Sequence, residues 1–326
     1  MVSITASVAG SSYIKVNRRP SHFYDPVMVA NSTSQWADII PIPQNDGPEP
    51  LVPIAYAPEY AAAMDYFRAV FAAGEYSARV LELTSFIINE NPSHYAVWKY
   101  RLDTVMALKT PLNSELSFTE ELAAEHPKSY QIWHHRQAIA DQDNEPEREI
   151  AFINRMLEID SKNYHAWSYR QHVVSKHKLW KSELVDIDRL LQEDVRNNSA
   201  WNQRFFVYSR SVDTLNSEDL EHEVQYTLAR INMAVQNESP WNYLRGMIQQ
   251  LAGKKLCDVE SAEVASLRLS GAPHHCTHAM SYLADIYQER GQQKEFITMC
   301  TTLVQADAIR RLYWLSRIDG ISAAEQ

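Results

Sequence analysis

HPKSYQIWHHR, residues 126–136, recurs in altered form along this chain at nearly constant distance, and the rest of the sequence falls between the copies. Pro127 suits the first turn of a helix, where its missing N–H removes a donor that has no partner anyway. Tyr130, Trp133 and Arg136 follow at intervals of three, so one flank of that helix carries an aromatic pair ending in a guanidinium. Upstream, Asn91-Pro92 precedes Tyr95, Trp98 and Arg101; downstream, Asp160-Ser161 precedes Tyr164, Trp167 and Arg170. A fourth copy keeps Trp201 and Arg204 with Asn198 in place of the tyrosine, and a fifth, Ser239-Pro240-Trp241, delays its arginine to Arg245. Trp98, Trp133, Trp167, Trp201 and Trp241 stand 35, 34, 34 and 40 residues apart, the period of a helix-turn-helix repeat stacked into a solenoid. The expected fold is all-α.

Over 326 residues, 45% hydrophobic and 22% charged, such an array builds one continuous core without dividing by length. A net charge of -10 argues against general nucleic-acid binding, because affinity for a phosphate backbone rests on an excess of Lys and Arg. Cys257, Cys276 and Cys300 are too few and too scattered for a disulfide framework or a close-spaced zinc motif, which points to a reducing, cytoplasmic setting. With no signal segment and no run of about 18 apolar residues to span a bilayer, a soluble protein is expected.

Residues 1–58 hold much of the proline and glycine, as in Pro41-Ile42-Pro43 and Asp46-Gly47-Pro48, and read as an extended, turn-rich segment. Its first 30 or so residues are expected to be mobile unless a partner holds them. Residues 59–326 form the repeat domain. Tyr60, Met64, Phe67 and Phe71 recur at helical spacing, Gly74 offers a stop, and a second helix spans about 77–89. The second helices of later pairs are expected over 114–125, 146–158 and 182–195, the last with an apolar stripe of Leu184, Ile187, Leu190 and Leu191. A polar insertion at 211–217 and a longer helix over 218–235, with Leu220, Val224, Leu228 and Ile231 inward, account for the wider interval before Trp241. Beyond Gly253 the pattern weakens to helices near 278–290 and 294–305, and Trp314 with Arg317 marks a degenerate terminal copy.

A tryptophan at every repeat packs between hairpins, while its N–H and the arginine fork satisfy carbonyls or carboxylates at the joints. Function is therefore sought where the copies differ, just ahead of the tryptophan. Lys128 stands where the first copy has Ser93 and the third Lys162, and His165 stands where the others have Ala96 and Gln131. The first turns of successive helices line one edge of a solenoid, and their free N–H groups and dipoles favour anions. Read from the residues alone, Lys128 and His165 could hold a phosphate or diphosphate on that edge, but the plainer reading is a solvated surface. His134-His135 and His274-His275 suggest a metal, but neighbours on a helix point about 100° apart and no carboxylate or cysteine spacing completes a site, so no metal ligand is assigned. No Gly-rich phosphate loop, nucleophile elbow or paired-carboxylate motif is present.

Through WADIIPIPQNDGPEP, AMDYFRAV, PKSYQIWHHR, KNYHAWSYRQHVV, KLWKSEL, EDVRNNSAWNQRFF and ESPWNYLRG, in that order from Trp36 toward Trp314, the sequence resembles the α subunit shared by protein farnesyltransferase and geranylgeranyltransferase type I. General tetratricopeptide arrays have a different signature. The resemblance implies a crescent-shaped, right-handed α-α superhelix of helical hairpins, wrapped around a β subunit that carries the catalytic zinc and most of the isoprenoid pocket. The implied reaction moves a farnesyl or geranylgeranyl group from its diphosphate to the cysteine of a C-terminal Cys-aliphatic-aliphatic-X motif. Zinc lowers the thiol's pKa, and positive charge meets the diphosphate as the C–O bond breaks. Magnesium assists the diphosphate in the farnesyl enzyme, with no ligand assignable in this chain, and the β subunit sets isoprenoid length. Carried over by motif, Lys128 is the catalytic lysine that reaches the leaving diphosphate. His165 and Tyr164 line the diphosphate and isoprenoid side, Tyr130 stands beside the site, Gln131 binds the peptide's terminal carboxylate, and Tyr95 lies near its last side chain. The sequence departs from the commoner pattern at Ser129, where Asn is frequent, and at Ser168-Tyr169; neither removes a proposed contact. Two competitors remain at this point: the α subunit of Rab geranylgeranyltransferase, and a non-catalytic helical scaffold that binds peptides.

Overall fold

A computed structural model describes residues 35–211 and 216–324. The expected mobile N-terminus and the centre of the 211–217 insertion lie outside the described residues. Among the described residues there are helices and turns but no strand, and the chain divides into two compact units, Met1–Ser114 and Glu115–Gln326.

In the first unit an irregular stretch over 35–57 leads into the hairpin of α1 (Pro58–Ala73) and α2 (Ala78–Glu90), followed by α3 (Tyr95–Leu108). Pro58 opens α1 at a position that needs no N–H, and Gly74, at φ 64°, closes it by donating back to the Phe71 carbonyl. The irregular stretch is tied down at one end. Trp36 is buried with its ring 5.2 Å from that of Tyr66, and Arg79 lies 4.9 Å over the same indole while donating to both Asp38 oxygens at 2.7 and 2.9 Å.

Along the second unit run α4 (Leu112–Glu125), α5 (Tyr130–Asp143), α6 (Pro146–Ile159), α7 (Tyr164–His177), α8 (Trp180–Glu193), α9 (Asn198–Ser211), α10 (Ser217–Met233), α11 (Glu238–Gly246), α12 (Glu260–Ser270), α13 (Thr277–Glu289), α14 (Gln293–Ala306) and α15 (Arg311–Ala324). The tryptophan-bearing helices α5, α7, α9 and α11 pack side by side in order, and α7, α9 and α11 each pair most closely with the helix just before, α6, α8 and α10. The apolar stripes fall where the sequence puts them. Ile187, Leu190 and Leu191 are buried on α8, with Leu184 half-buried, and Leu220, Val224, Leu228 and Ile231 are buried on α10. Each side chain of this kind taken fully from water stabilises the array by about 1.5–3 kcal/mol. At the far end, Phe296, Cys300 and Leu303 of α14 close over Trp314 of α15, so the terminal copy survives as a cap on the core.

Three features depart from expectation. Pro127 is not in a helix. It lies in the turn before α5, whose first residue is Tyr130, because its carbonyl is used by side chains and stays outside the helical ladder. Helix α12 was not legible in its sequence. Nor was the π turn Met247–Leu251, in which α11 widens just after Gly246. A Cβ on Gly246 would stand 2.9 Å from Cε2 of Phe205, so only glycine lets α11 approach α9 this closely.

Candidate functional site

Each repeat is locked by one carbonyl. The indole N–H groups of Trp98, Trp133, Trp167, Trp201 and Trp241 donate to the carbonyls of Pro92, Pro127, Ser161, Val195 and Val235, each six residues earlier, at 2.8 to 3.3 Å. From Pro127 onward the same carbonyl takes a second donor from the next repeat. Asn163 Nδ2 donates to Pro127 at 3.0 Å, Asn197 to Ser161 at 3.2 Å and Asn237 to Val195 at 2.9 Å. Each asparagine also turns Oδ1 onto backbone N–H groups in the first turn of its own helix. The last rung replaces asparagine with Cys276, whose thiol donates to Val235.

The arginines end on buried glutamates. Arg136 meets Glu149 through two N–H groups at 2.7 and 3.0 Å, Arg170 meets both oxygens of Glu183, and Arg204 meets both oxygens of Glu223. The next repeat adds a donor to every one of these carboxylates. Tyr169 reaches Glu149 at 2.8 Å, Gln203 reaches Glu183 at 2.7 Å and Tyr243 reaches Glu223 at 2.7 Å. These ions are all nearly inaccessible to water, so each carboxylate needs the donors it has. The departure from the commoner pattern at Tyr169 is thereby explained: it supplies a joint.

Along the edge ahead of the tryptophans the side chains point outward. Tyr130 and Tyr164 are the first residues of α5 and α7 and are 67% and 69% exposed. Lys128, two residues before α5, is 79% exposed at its side chain, and its ammonium stands 4.0 Å from a carboxylate oxygen of Asp160, beyond hydrogen-bond range. His165 brings this group together. Its ring meets Tyr130 edge-on at 4.3 Å between centroids, lies 5.6 Å from Tyr164 and is parallel to Trp133 at 6.4 Å. Partial burial lowers its pKa, opposed by a hydrogen bond to the Lys128 backbone, which favours neutral imidazole near pH 7. Gln131 is half-buried and accepts from the Ser129 hydroxyl at 3.3 Å. Tyr95 holds the matching first position of α3 in the other unit and is exposed.

Two expectations change here. The first-turn N–H groups of α7 are not open to an anion, because Asn163 Oδ1 already accepts from His165 and Ala166 at 2.9 and 3.1 Å. Positive charge on this edge thus comes from lysine side chains, Lys128 and, one repeat later, Lys162, both exposed. The asparagine rungs themselves went unread, although Asn163, Asn197 and Asn237 each stand four residues before a repeat tryptophan. The histidine pairs separate as well: His134 is exposed, whereas His135 turns inward onto Glu115 at 2.6 Å. Among the described residues no group of three or more His, Cys, Asp or Glu is placed to hold a metal.

Residues 112–143, 146–177, 180–211 and 220–251 match the family described as protein prenyltransferase alpha subunit repeat. The protein farnesyltransferase/geranylgeranyltransferase type-1 subunit alpha of Solanum lycopersicum is 39% identical over 302 residues, covering 86% of this chain and 87% of that one. The solved structure of Candida albicans protein geranylgeranyltransferase-I complexed with GGPP contains a chain that superposes with a TM-score of 0.79 at 32% identity, across 87% of this chain and 97% of that chain. By contrast, similarity to the geranylgeranyl transferase type-2 subunit alpha of Mus musculus is confined to 26% of this chain and 17% of that protein. The chain therefore belongs to the family of protein farnesyltransferase/geranylgeranyltransferase type-1 α subunits.

Proposed function

We propose that this chain works as the α subunit of a heterodimeric protein prenyltransferase and that its edge ahead of the tryptophans meets the isoprenoid diphosphate. The observation that carries the reading is a contrast among cations. Arg136, Arg170 and Arg204 are buried and consumed by glutamates, whereas Lys128 is exposed beside Tyr130, Tyr164 and His165 and has only a distant carboxylate. As the C–O bond to the isoprenoid breaks, charge grows on the diphosphate, and an ammonium aimed at that charge lowers the barrier. Tyr164 adds a hydrogen-bond donor on the same side, and the ring of His165 lines it. Gln131 offers its amide to the terminal carboxylate of the Cys-aliphatic-aliphatic-X peptide, Tyr130 flanks the reacting centre, and Tyr95 borders the last peptide side chain. In this reading the β subunit would hold zinc, which would lower the pKa of the substrate cysteine thiol so that it attacks as thiolate, and magnesium would offset diphosphate charge. The setting is cytoplasmic; no helix among the described residues is long and apolar enough to cross a membrane.

The test is co-expression with β subunits and measurement of prenyl transfer to peptides ending in Cys-aliphatic-aliphatic-X. Lys128→Ala is expected to slow transfer by roughly 10²–10³-fold, the loss typical of one well-placed transition-state donor, with an unchanged Tm. Transfer at the wild-type rate, or the absence of a stable complex with any β subunit, would sink the reading. A scaffold that merely binds peptides predicts no change in any activity.

A further inference from the structure

Lys128 stands between two neighbours, Pro127 and Tyr130, that both meet α7. On its N-terminal side the Pro127 carbonyl accepts the Trp133 indole at 2.9 Å and the Asn163 amide at 3.0 Å. On its C-terminal side Tyr130 meets the ring of His165 edge-on, 4.3 Å between centroids. Asn163 is 2% exposed, and its Oδ1 accepts from the N–H groups of His165 and Ala166, so its amide moves only as α7 moves. One buried side chain thus joins the turn that mounts the ammonium to the turn that mounts the imidazole. The ammonium itself is exposed, with Asp160 4.0 Å away, but Asn163, which holds its turn, is buried.

We propose that Asn163 is a positioning residue for the diphosphate edge: by spanning from the Pro127 carbonyl to the first turn of α7 it sets where Lys128 stands relative to His165. This rests on the reading of Lys128 given above. A misplacement of about 1 Å at a reacting group costs as much as about 100-fold in rate, so a rung that holds Lys128 in register is worth more to turnover than an equal rung elsewhere. The molecule supplies that equal rung. Asn237 makes the same pair of contacts, donating to Val195 at 2.9 Å and accepting from Ser239, but the turn it holds carries Arg196 and no residue of the proposed site.

Serine at either position keeps a cap acceptor and is too short to reach the preceding repeat's carbonyl. In heterodimers with the β subunit at saturating substrates, Asn163→Ser is expected to lower kcat by roughly tenfold or more with KM for the peptide unchanged. Asn237→Ser, with a similar loss of Tm, should leave kcat within about twofold, and Asn163→Ser should add nothing in a Lys128→Ala background. Equal kcat losses in the two serine variants would overturn the proposal, as would the full Asn163→Ser loss recurring in the Lys128→Ala background. Wild-type transfer by Lys128→Ala would instead remove the reading of Lys128 on which the proposal stands. Should Asn163→Ser fail to assemble, the isosteric Asn163→Asp, which keeps the cap acceptor for both N–H groups and lacks the amide donor, is carried through the same cycle with the same two outcomes.

Discussion

The joints between repeats and the edge ahead of the tryptophans are built from the same eleven-residue grammar, yet they treat charge in opposite ways. At the joints Glu149, Glu183 and Glu223 are buried and each takes donors from two successive repeats. On the edge Lys128 is exposed, and the one carboxylate near it lies 4.0 Å away. A buried ion with its full complement of donors holds structure and has nothing left to offer a ligand. An exposed ion on a fixed turn contributes little stability and remains available. The repeat supplies rigidity by sameness, and the site occupies positions where the copies are free to differ.

If that division is right, removing a joint glutamate harms folding and leaves chemistry alone. Glu149→Ala strands Arg136 in a buried position and takes the acceptor from Tyr169. The expected cost is about 3–5 kcal/mol, read by denaturant unfolding, with kcat per folded heterodimer unchanged. A kcat loss at unchanged stability would erase the distinction between the two regions. A smaller and pH-dependent effect belongs to Glu223. Burial alone would raise its carboxyl pKa, but hydrogen bonds from Arg204, Tyr208 and Tyr243 outweigh burial and hold it below the ordinary value of 4.5. The folded state therefore binds this proton less readily than the unfolded chain, and the pair contributes stability above pH 4.5 that is lost as pH falls toward the folded pKa. Tm measured against pH should show Glu223→Gln well below wild type at neutral pH, with the gap narrowing below pH 4.5. A gap that stays constant with pH would mean that its charge is not what holds the joint.

Much of this was legible in the sequence because a period of 34 residues survives any local accident. The tryptophans and arginines could be assigned to joints, and the stripes of α8 and α10 to the core, from spacing alone. What the arginines would meet was harder to read. Glu149 and Glu183 each lie 13 residues after their arginine (136 to 149, 170 to 183), but Glu223 lies 19 after Arg204, since the insertion separates them. The asparagine rungs join residues 36 to 42 apart, beyond the reach of any helical pattern. Lys128 was singled out by difference and by resemblance. That its turn is braced from α7 required geometry.

The smallest expected effect lies at the opposite ends of the same helices. Lys109, Asn144 and Lys178 follow the last residues of α3, α5 and α7 and adopt φ of 52°, 57° and 54°, a left-handed conformation that side chains with a Cβ resist. Backbone of this kind often gathers at functional sites. Here it recurs with the repeat, at 109, 144 and 178, which marks it as architecture: the Lys178 and Leu179 N–H groups close α7 on the carbonyls of Ser175 and Val174. Glycine meets the same turn without the steric cost and gives back part of the gain through a more flexible unfolded chain. Lys178→Gly is therefore expected to stabilise by about 0.5–1 kcal/mol in thermal unfolding, with prenyl transfer unchanged. A fall in transfer rate would show that this edge, too, takes part in function, and that the chemistry is not confined to the edge where Lys128 stands.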